Sequence, residues 1–166
     1  MRRRTFLLLS VVAGAGLVAG GLAAFAGGSH DRTAVAVRVV DGDTLALDGR
    51  RIRLFGIDAP ERDQMCEAGG RPYACGRAAG EALARLIGDA RPVCVERDRD
   101  SYGRSVATCR AGGRELNRAM VAEGWAVAYT RYSRDYVRDE AQARRARRGL
   151  WQGRFERPEQ YRIERR

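Results

Sequence analysis

The sequence predicts an α+β fold: a small antiparallel β-barrel with helices packed against it. Short segments with strand-like alternation are separated by turn residues such as Asp-Gly and Gly-Gly, and three other segments carry apolar residues at helical spacing. Strands and helices are also grouped rather than strictly alternating along the chain. This grouping favours an antiparallel barrel over a parallel sheet.

Five strands are predicted, and the first three form a meander. The strands cover residues 35–40, 44–47, 51–57, 92–96 and 105–110. The pair Asp48-Gly49 is typical of a two-residue hairpin turn between the second and third strands. A turn at 98–103 joins the last two strands into another hairpin. Residues 62–75, which are rich in glycine and contain two cysteines, are predicted to form a loop.

Three helices are predicted from apolar residues that recur every three or four positions. They cover residues 77–87, 116–123 and 136–148, and a glycine follows each one. The remaining residues, 152–166, are predicted to be a charged tail.

The basic residues are all of one kind, because the 31 Lys+Arg positions are all arginine. The absence of lysine excludes a P-loop and Schiff-base chemistry, which both need a lysine amine. A single histidine, His30, disfavours histidine triads and His-ligated zinc. The net charge of +10 suits phosphate, since a guanidinium group binds two oxygens at once, although a membrane surface would also suit it.

The N-terminus has the pattern of an export signal. Three arginines at 2–4 precede an apolar stretch at 6–26, which ends in the small-residue site Ala-Phe-Ala. The stretch is also about long enough to span a bilayer, and the Arg-Arg pair resembles a twin-arginine signal. We therefore expect a protein that is exported to the periplasm or secreted, or one anchored to the cytoplasmic membrane. A linker at 27–33 would precede one domain at 34–151.

Four cysteines in an exported chain predict two disulfides. Cys94 and Cys109 lie on the two arms of the second hairpin, and mirror pairing about its tip places them opposite each other. Cys66 and Cys75 would close a small ring shortly after Glu61. Buried free thiols are the alternative for the first pair, and a metal site is the alternative for the second.

Carboxylates and arginines cluster where predicted strands end. Asp43 and Asp58 lie at the ends of neighbouring strands, so their carboxylates can meet and, with a carbonyl, form a hard-oxygen site for calcium or magnesium. Arg53 and Arg104 are the residue types that hold a phosphate and the charge of its transition state. Glu61 can orient or deprotonate a water.

Each of these segments taken alone also fits an ordinary turn or an exposed strand face. Together they form a complete set for hydrolysing a phosphodiester. Both arginines are expected at accessible positions, so replacing either should leave the fold intact.

Three motifs give the chain a resemblance to the staphylococcal nuclease (thermonuclease-like) family. They are Val-Asp-Gly-Asp-Thr at 40–44, Arg-Leu-Phe-Gly-Ile-Asp-Ala-Pro-Glu at 53–61, and Asp-Ser-Tyr-Gly-Arg at 100–104. The motifs occur in the family's order, and the resemblance covers about 34–151. It implies an OB-fold, a five-stranded antiparallel barrel with three α-helices, and calcium-dependent cleavage of DNA and RNA.

The resemblance also implies roles for single residues. The calcium ligands would be Asp43, Asp58 and the backbone carbonyl of Ala59. The scissile phosphate would contact Arg53 and Arg104, the general base would be Glu61, and the nucleotide would lie between Tyr102 and Tyr129. Ala59 replaces a threonine of the family but would bind through its backbone. Ser101 replaces a lysine, which removes one phosphate contact.

Two other classes of function compete with a nuclease. A non-catalytic nucleic-acid-binding OB module would keep the fold and the basic charge. An envelope or membrane-surface structural protein would explain the N-terminal segment. Neither class needs the full set of carboxylates and arginines.

Overall fold

A computed structural model describes residues 37–165 of the chain. The predicted signal or anchor at 1–26 and the linker at 27–33 lie outside these residues. Within 37–165, no helix is both long enough and apolar enough to cross a membrane.

One curled sheet carries most of the domain, and two short strand pairs supplement it. The strands are β1 (Val37–Val39), β2 (Thr44–Leu47), β3 (Arg50–Leu54), β4 (Ile57–Asp58), β5 (Cys66–Ala68), β6 (Arg71–Tyr73), β7 (Val93–Arg99), β8 (Ser105–Ala111), β9 (Arg114–Glu115) and β10 (Val127–Ala128). The main sheet has the order β1-β2-β3-β8-β7, with β9 paired to β8. These five principal strands and the helices around them confirm the predicted α+β class and OB-fold.

The pairing in this sheet is antiparallel, as expected, at every contact but one. β3 and β8 run parallel, with Arg53 opposite Val106. A parallel pair requires a crossover connection, and the chain between these strands supplies one through a helix and β7. The segment 62–75, predicted as a loop, instead contains the hairpin β5–β6. Gly69 and Gly70, both at positive φ, form its turn.

The three predicted helices are present, and a fourth follows them. The helices are α1 (Cys75–Ile87), α2 (Leu116–Ala122), α3 (Val137–Arg145) and α4 (Pro158–Glu164), with a 3-10 turn at Gly149–Gln152. The prediction of only a charged tail after residue 151 was therefore incomplete. Pro158 begins α4 at a position where a missing N–H costs nothing, and Tyr161 buries its ring against the domain.

The core lies between the curled sheet and helices α1 and α2. Its largest fully buried side chains include Leu45, Leu54, Leu83, Leu116 and Met120. Burial of such side chains contributes about 1.5–3 kcal/mol each relative to exposure.

A buried asparagine ties α2 to the sheet. The Asn117 amide nitrogen donates to the carbonyls of Phe55 (2.9 Å) and Ala107 (3.1 Å), and its oxygen accepts from the Cys109 N–H (3.0 Å). Since a buried polar group left unpaired costs about 1–3 kcal/mol, this side chain fixes the turn after β3 against β8.

Both predicted disulfides are confirmed. Cys94 and Cys109 are direct cross-strand partners in β7 and β8. Cys66, in β5, is joined to Cys75, the first residue of α1. No free cysteine remains among residues 37–165.

The turn between β1 and β2 packs tightly on α1. A Cβ atom added to Gly42 would lie 2.7 Å from the Cβ atoms of both Ala59 and Ala79, so only glycine fits. We expect Gly42→Ala to lower the free energy of unfolding by about 1–3 kcal/mol through overpacking. Thermal unfolding followed by circular dichroism measures this effect.

Gly80→Ala is the matched control. Gly80 lies in α1, and a Cβ atom added there would have its nearest neighbouring atom at 3.8 Å, which is ordinary van der Waals contact. We expect this change to be neutral or to stabilise the helix by about 0.5–1 kcal/mol. Equal stability of the two variants would show that the turn is not packed on α1.

Candidate active site

A cleft of about 490 Å³ opens at the end of the sheet, between the β3–β4 turn and the tip of the β7–β8 hairpin. Seven of the eight residues predicted for catalysis, metal binding or nucleotide contact line it: Asp43, Arg53, Ala59, Glu61, Tyr102, Arg104 and Tyr129. The eighth, Asp58, lies behind the cleft wall and is 1% exposed. The structure thus brings the three motifs to one place.

The pairing of β2 with β3 places Asp43 and Arg53 side by side. Thr44 pairs with Arg53 across β2 and β3, and the Leu54 N–H donates to the Asp43 carbonyl (2.7 Å). Asp58 is held at the same end by β4, where it pairs with Val127 of β10.

One arginine bridges two buried carboxylates. Arg53 Nη1 donates to Asp43 Oδ1 (2.9 Å), and Nη2 donates to Asp58 Oδ1 (2.8 Å). The side chain of Arg53 is 19% exposed, against 4% and 1% for the two aspartates. The expectation of an accessible Arg53 was therefore wrong, because its guanidinium group is the counter-ion of both acids.

Further hydrogen bonds fix the orientation of Asp43. Its Oδ1 accepts from the Thr44 hydroxyl (2.9 Å), and its Oδ2 accepts from the Ala59 N–H (3.0 Å). Its own N–H donates to Asp41 Oδ1 (3.0 Å). Burial and the adjacent charge of Asp43 raise the pKa of Asp41 to about 7.

Arg162 of α4 enters the site, although it lies in none of the three sequence motifs. Its Nη1 lies 3.0 Å from Asp58 Oδ1 and donates to Glu61 Oε1 (2.8 Å), while Nη2 donates to Asp58 Oδ2 (3.0 Å). Burial opposes its charge, but the bonds to Asp58 and Glu61 raise the pKa of Arg162 above its ordinary value. Pro158 at a helix start with Tyr161 one turn later was the available sequence signal for α4.

The side chains of Gln64 and Glu159 also hold α4 and the segment before it on the rim of the cleft. Gln64, fully buried, accepts from the Glu61 N–H (3.2 Å) and donates to the Glu156 carbonyl (2.7 Å). Glu159 accepts from the Tyr129 hydroxyl (3.2 Å) and from Arg131 (3.1 Å). The last helix therefore forms one wall of the site.

Arg104 stands at the hairpin tip, across the cleft from the buried cluster. Its Nε donates to Asp100 Oδ2 (2.6 Å), and its N–H donates to Asp100 Oδ1 (2.9 Å). Partial burial opposes the effect, but these bonds lower the pKa of Asp100 and keep it ionised. Among residues 37–165, neither terminal nitrogen of Arg104 has a hydrogen-bond partner, so both can bind a ligand.

Aromatic rings line the rest of the cleft. Tyr102 is 78% exposed beside Arg104, and Tyr129 lies with its ring centre 5.1 Å from that of Tyr132. Tyr132 received no site role from the sequence, because the spacing after Tyr129 was ambiguous there. The tertiary fold places it in the cleft.

The oxygen atoms at the buried end suit a hard divalent cation. The carboxylates of Asp43, Asp58 and Glu61 face the guanidinium groups of Arg53 and Arg162. Carboxylate and carbonyl oxygens are the ligands that calcium and magnesium prefer. Within residues 37–165, no group of three or more His, Cys, Asp or Glu side chains is arranged as a metal site, so a cation held here would also need backbone or water ligands.

Comparison with known proteins identifies the class. A family model described as "Staphylococcal nuclease homologue" matches residues 51–153. The chain therefore belongs to the staphylococcal nuclease family, and its fold is consistent with that family.

Individual relatives extend this match. The chain is 32% identical to Protein ParB of Escherichia coli over 91% of this chain and 88% of that protein. It is 36% identical to Micrococcal nuclease of Shigella flexneri over 69% and 71% of the two chains. It is 42% identical to Succinoglycan biosynthesis protein ExoI of Rhizobium meliloti (strain 1021), but there it spans only about half of that protein, 48% of its length.

Replacing either of the two arginines should lower stability, but to a very different extent. Arg53→Ala removes the bridge between two buried carboxylates, so we expect the free energy of unfolding to fall by about 3 kcal/mol or more. Arg104→Ala breaks one partly exposed ion pair and should cost about 1 kcal/mol or less. Urea unfolding of the two variants without added metal measures the difference. Equal losses would contradict the bridging role of Arg53.

The Cys66–Cys75 bridge predicts an effect on Glu61. A Cβ atom on Gly76 would lie 1.7 Å from the Glu61 carbonyl, so the bridged end of α1 rests directly on the Glu61 backbone. The short ring should contribute only about 2–3 kcal/mol. We expect the double change Cys66→Ser, Cys75→Ser to lower turnover more than melting temperature. Reduced stability with unchanged turnover per folded molecule would show a purely structural bridge.

Proposed function

We propose that this protein is a calcium-dependent nuclease that hydrolyses phosphodiester bonds of DNA, RNA or both. The observation that carries the proposal is the convergence of Asp43, Arg53, Glu61 and Arg104 on one cleft, with Asp58 bonded to Arg53 behind its wall. These residues come from three separate motifs, and no single turn or strand requires them to meet.

The buried carboxylates suit the metal. Asp43, Asp58 and the carbonyl of Ala59 would hold the ion, whose charge would let an anionic phosphodiester approach the carboxylates and would stabilise its transition state. Calcium suits this site better than magnesium, because magnesium keeps its waters and needs stricter octahedral geometry.

The two arginines would act differently on a bound phosphate. Within residues 37–165, neither terminal nitrogen of Arg104 has a partner, so this side chain can bind two phosphate oxygens at once. Arg53 donates one N–H from each terminal nitrogen to Asp43 and Asp58, so it mainly brings positive charge to the cleft wall. Glu61, with its side chain 36% exposed, can accept a proton from a water that attacks phosphorus.

The tyrosines suit the bases of a nucleic acid. Tyr102 and Tyr132 expose their rings, and Tyr129 lies between the cleft and α4. A base can stack on an exposed aromatic ring whatever its identity, with about 1–3 kcal/mol per base. Such a cleft would accept many sequences.

Two features support a location outside the cytoplasm. Both disulfides favour an oxidising compartment, and the apolar segment 6–26 has the composition of an export signal. We place the protein outside the cytoplasm, either released after cleavage or anchored by residues 6–26.

A cleavage assay tests the function and separates it from a non-catalytic binding module. Purified protein is incubated with plasmid DNA and with RNA, in calcium or in excess chelator. We expect cleavage only with calcium, and a loss of at least about 10²-fold for Arg104→Ala, the scale for one preorganised transition-state donor.

Arg91→Ala is the control for charge, because Arg91 is exposed and pairs with Asp48, a residue outside the cleft. It should cleave at the wild-type rate. Full activity in chelator would contradict the proposed requirement for calcium. Binding of nucleic acid without cleavage would identify a binding module.

A further inference from the structure

Arg162 differs from the other arginines of the site in where it comes from. Arg53 and Arg104 lie in motifs of the barrel, whereas Arg162 comes from α4, about 100 residues beyond Asp58 and Glu61. It lies outside the 51–153 region that matches the family model. Its side chain is 29% exposed, and it fits against both acids with three contacts of 2.8–3.0 Å.

Arg162 contacts two carboxylates that would have different roles in the reaction. Asp58 would hold the metal, and Glu61 would accept a proton from water. The same terminal nitrogen, Nη1, lies within 3.0 Å of an oxygen of each carboxylate. Within residues 37–165 the Glu61 carboxylate has no other hydrogen bond or ion pair, so this guanidinium group fixes it relative to Asp58.

The helix that carries Arg162 is itself anchored. Pro158 and Tyr161 are buried, Glu159 contacts Tyr129, and Arg165 lies over the Tyr161 ring with its guanidinium carbon 3.6 Å from the ring centre. A guanidinium group on such a helix holds its position better than one on a free chain end. The position of α4 therefore determines the position of the Glu61 carboxylate.

We propose that Arg162 is a positioning residue for the nuclease reaction, which holds Glu61 in line with the metal ligand Asp58. The inference rests on the proposed function. It assigns the C-terminal helix a part in catalysis that the three family motifs do not contain.

This arrangement has an electrostatic cost. Arg162 Nη1 lies 3.0 Å from Asp58 Oδ1, an oxygen that would bind calcium, so the guanidinium group and a bound cation would share this carboxylate and repel each other. Arg162 should therefore weaken calcium binding while it supports turnover. A residue that only stabilised the fold would not affect calcium affinity and turnover in opposite directions.

The experiment compares Arg162→Ala, Arg162→Lys and Arg165→Ala in the full-length protein. Calcium affinity is measured by titration calorimetry, and kcat and KM are measured with DNA at saturating calcium. We expect Arg162→Ala to bind calcium more tightly than wild type and yet to lose about 10- to 100-fold in kcat, with a smaller change in KM.

The lysine variant separates charge from geometry. Arg162→Lys keeps the positive charge, so its calcium affinity should return towards wild type. It lacks the planar fork that spans Asp58 and Glu61, so kcat should recover only in part. Arg165→Ala removes the arginine directly after α4, which packs on Tyr161 and pairs with Glu156 rather than with Asp58 or Glu61, so it controls for loosening of α4. We expect it to keep the wild-type calcium affinity and to lose much less kcat than Arg162→Ala.

Two results would overturn the inference. Unchanged or increased kcat in Arg162→Ala would show that Arg162 only competes with calcium for Asp58. Equal losses in Arg162→Ala and Arg165→Ala would make α4 a structural support only. An inactive wild-type protein would instead contradict the proposed function, so the two failures are distinguishable.

Discussion

The site depends on one constraint: two carboxylates that are almost fully buried must be held side by side. Ionised groups out of contact with water are stable only when opposite charges and hydrogen bonds compensate for the lost solvation. Arg53 supplies that compensation to Asp43 and Asp58 together. Its own place is set by the pairing of β2 with β3. The charge balance of the site therefore depends on the register of β2 with β3.

This constraint explains why the basic residue at these positions is arginine rather than lysine. A guanidinium group has two terminal nitrogens in a rigid plane, so a single side chain can join two carboxylates, as Arg53 and Arg162 both do. A lysine ammonium is a point charge and would have to divide its attraction between them. The chain contains no lysine at all, although this geometry explains arginine only at these positions.

The cleft is built from parts of the chain that are distant in sequence. The parallel pairing of β3 and β8 brings the hairpin tip, with Arg104, to the edge where β2 and β4 present Asp43 and Asp58. Helix α4 then closes the wall with Arg162. Each part has its own support: the Cys94–Cys109 bridge for the hairpin, and Gln64 for the chain that leads into α4.

Local patterns in the sequence were enough to predict most of the elements and the candidate site. Apolar periodicity and turn residues predicted the strands of the meander, the Cys94–Cys109 hairpin and helices α1 to α3, because these depend on neighbouring residues. The motifs that contain Asp43, Arg53 and Arg104 predicted the chemistry, because few residue types can hold a metal and a phosphate together.

Tertiary structure decided the features that depend on contacts across the chain. The hairpin β5–β6, helix α4 and the placement of Tyr132 are stabilised by packing against distant segments, so the local signals, Gly69-Gly70 and Pro158 with Tyr161, were too weak to predict them. The surroundings of Arg53 and Arg162 also depend on such contacts, because an arginine has the same side chain on a solvated surface and between two buried acids. A motif selected Arg53, but only the folded chain determines that it lies between two buried carboxylates and that Arg162 belongs to the site.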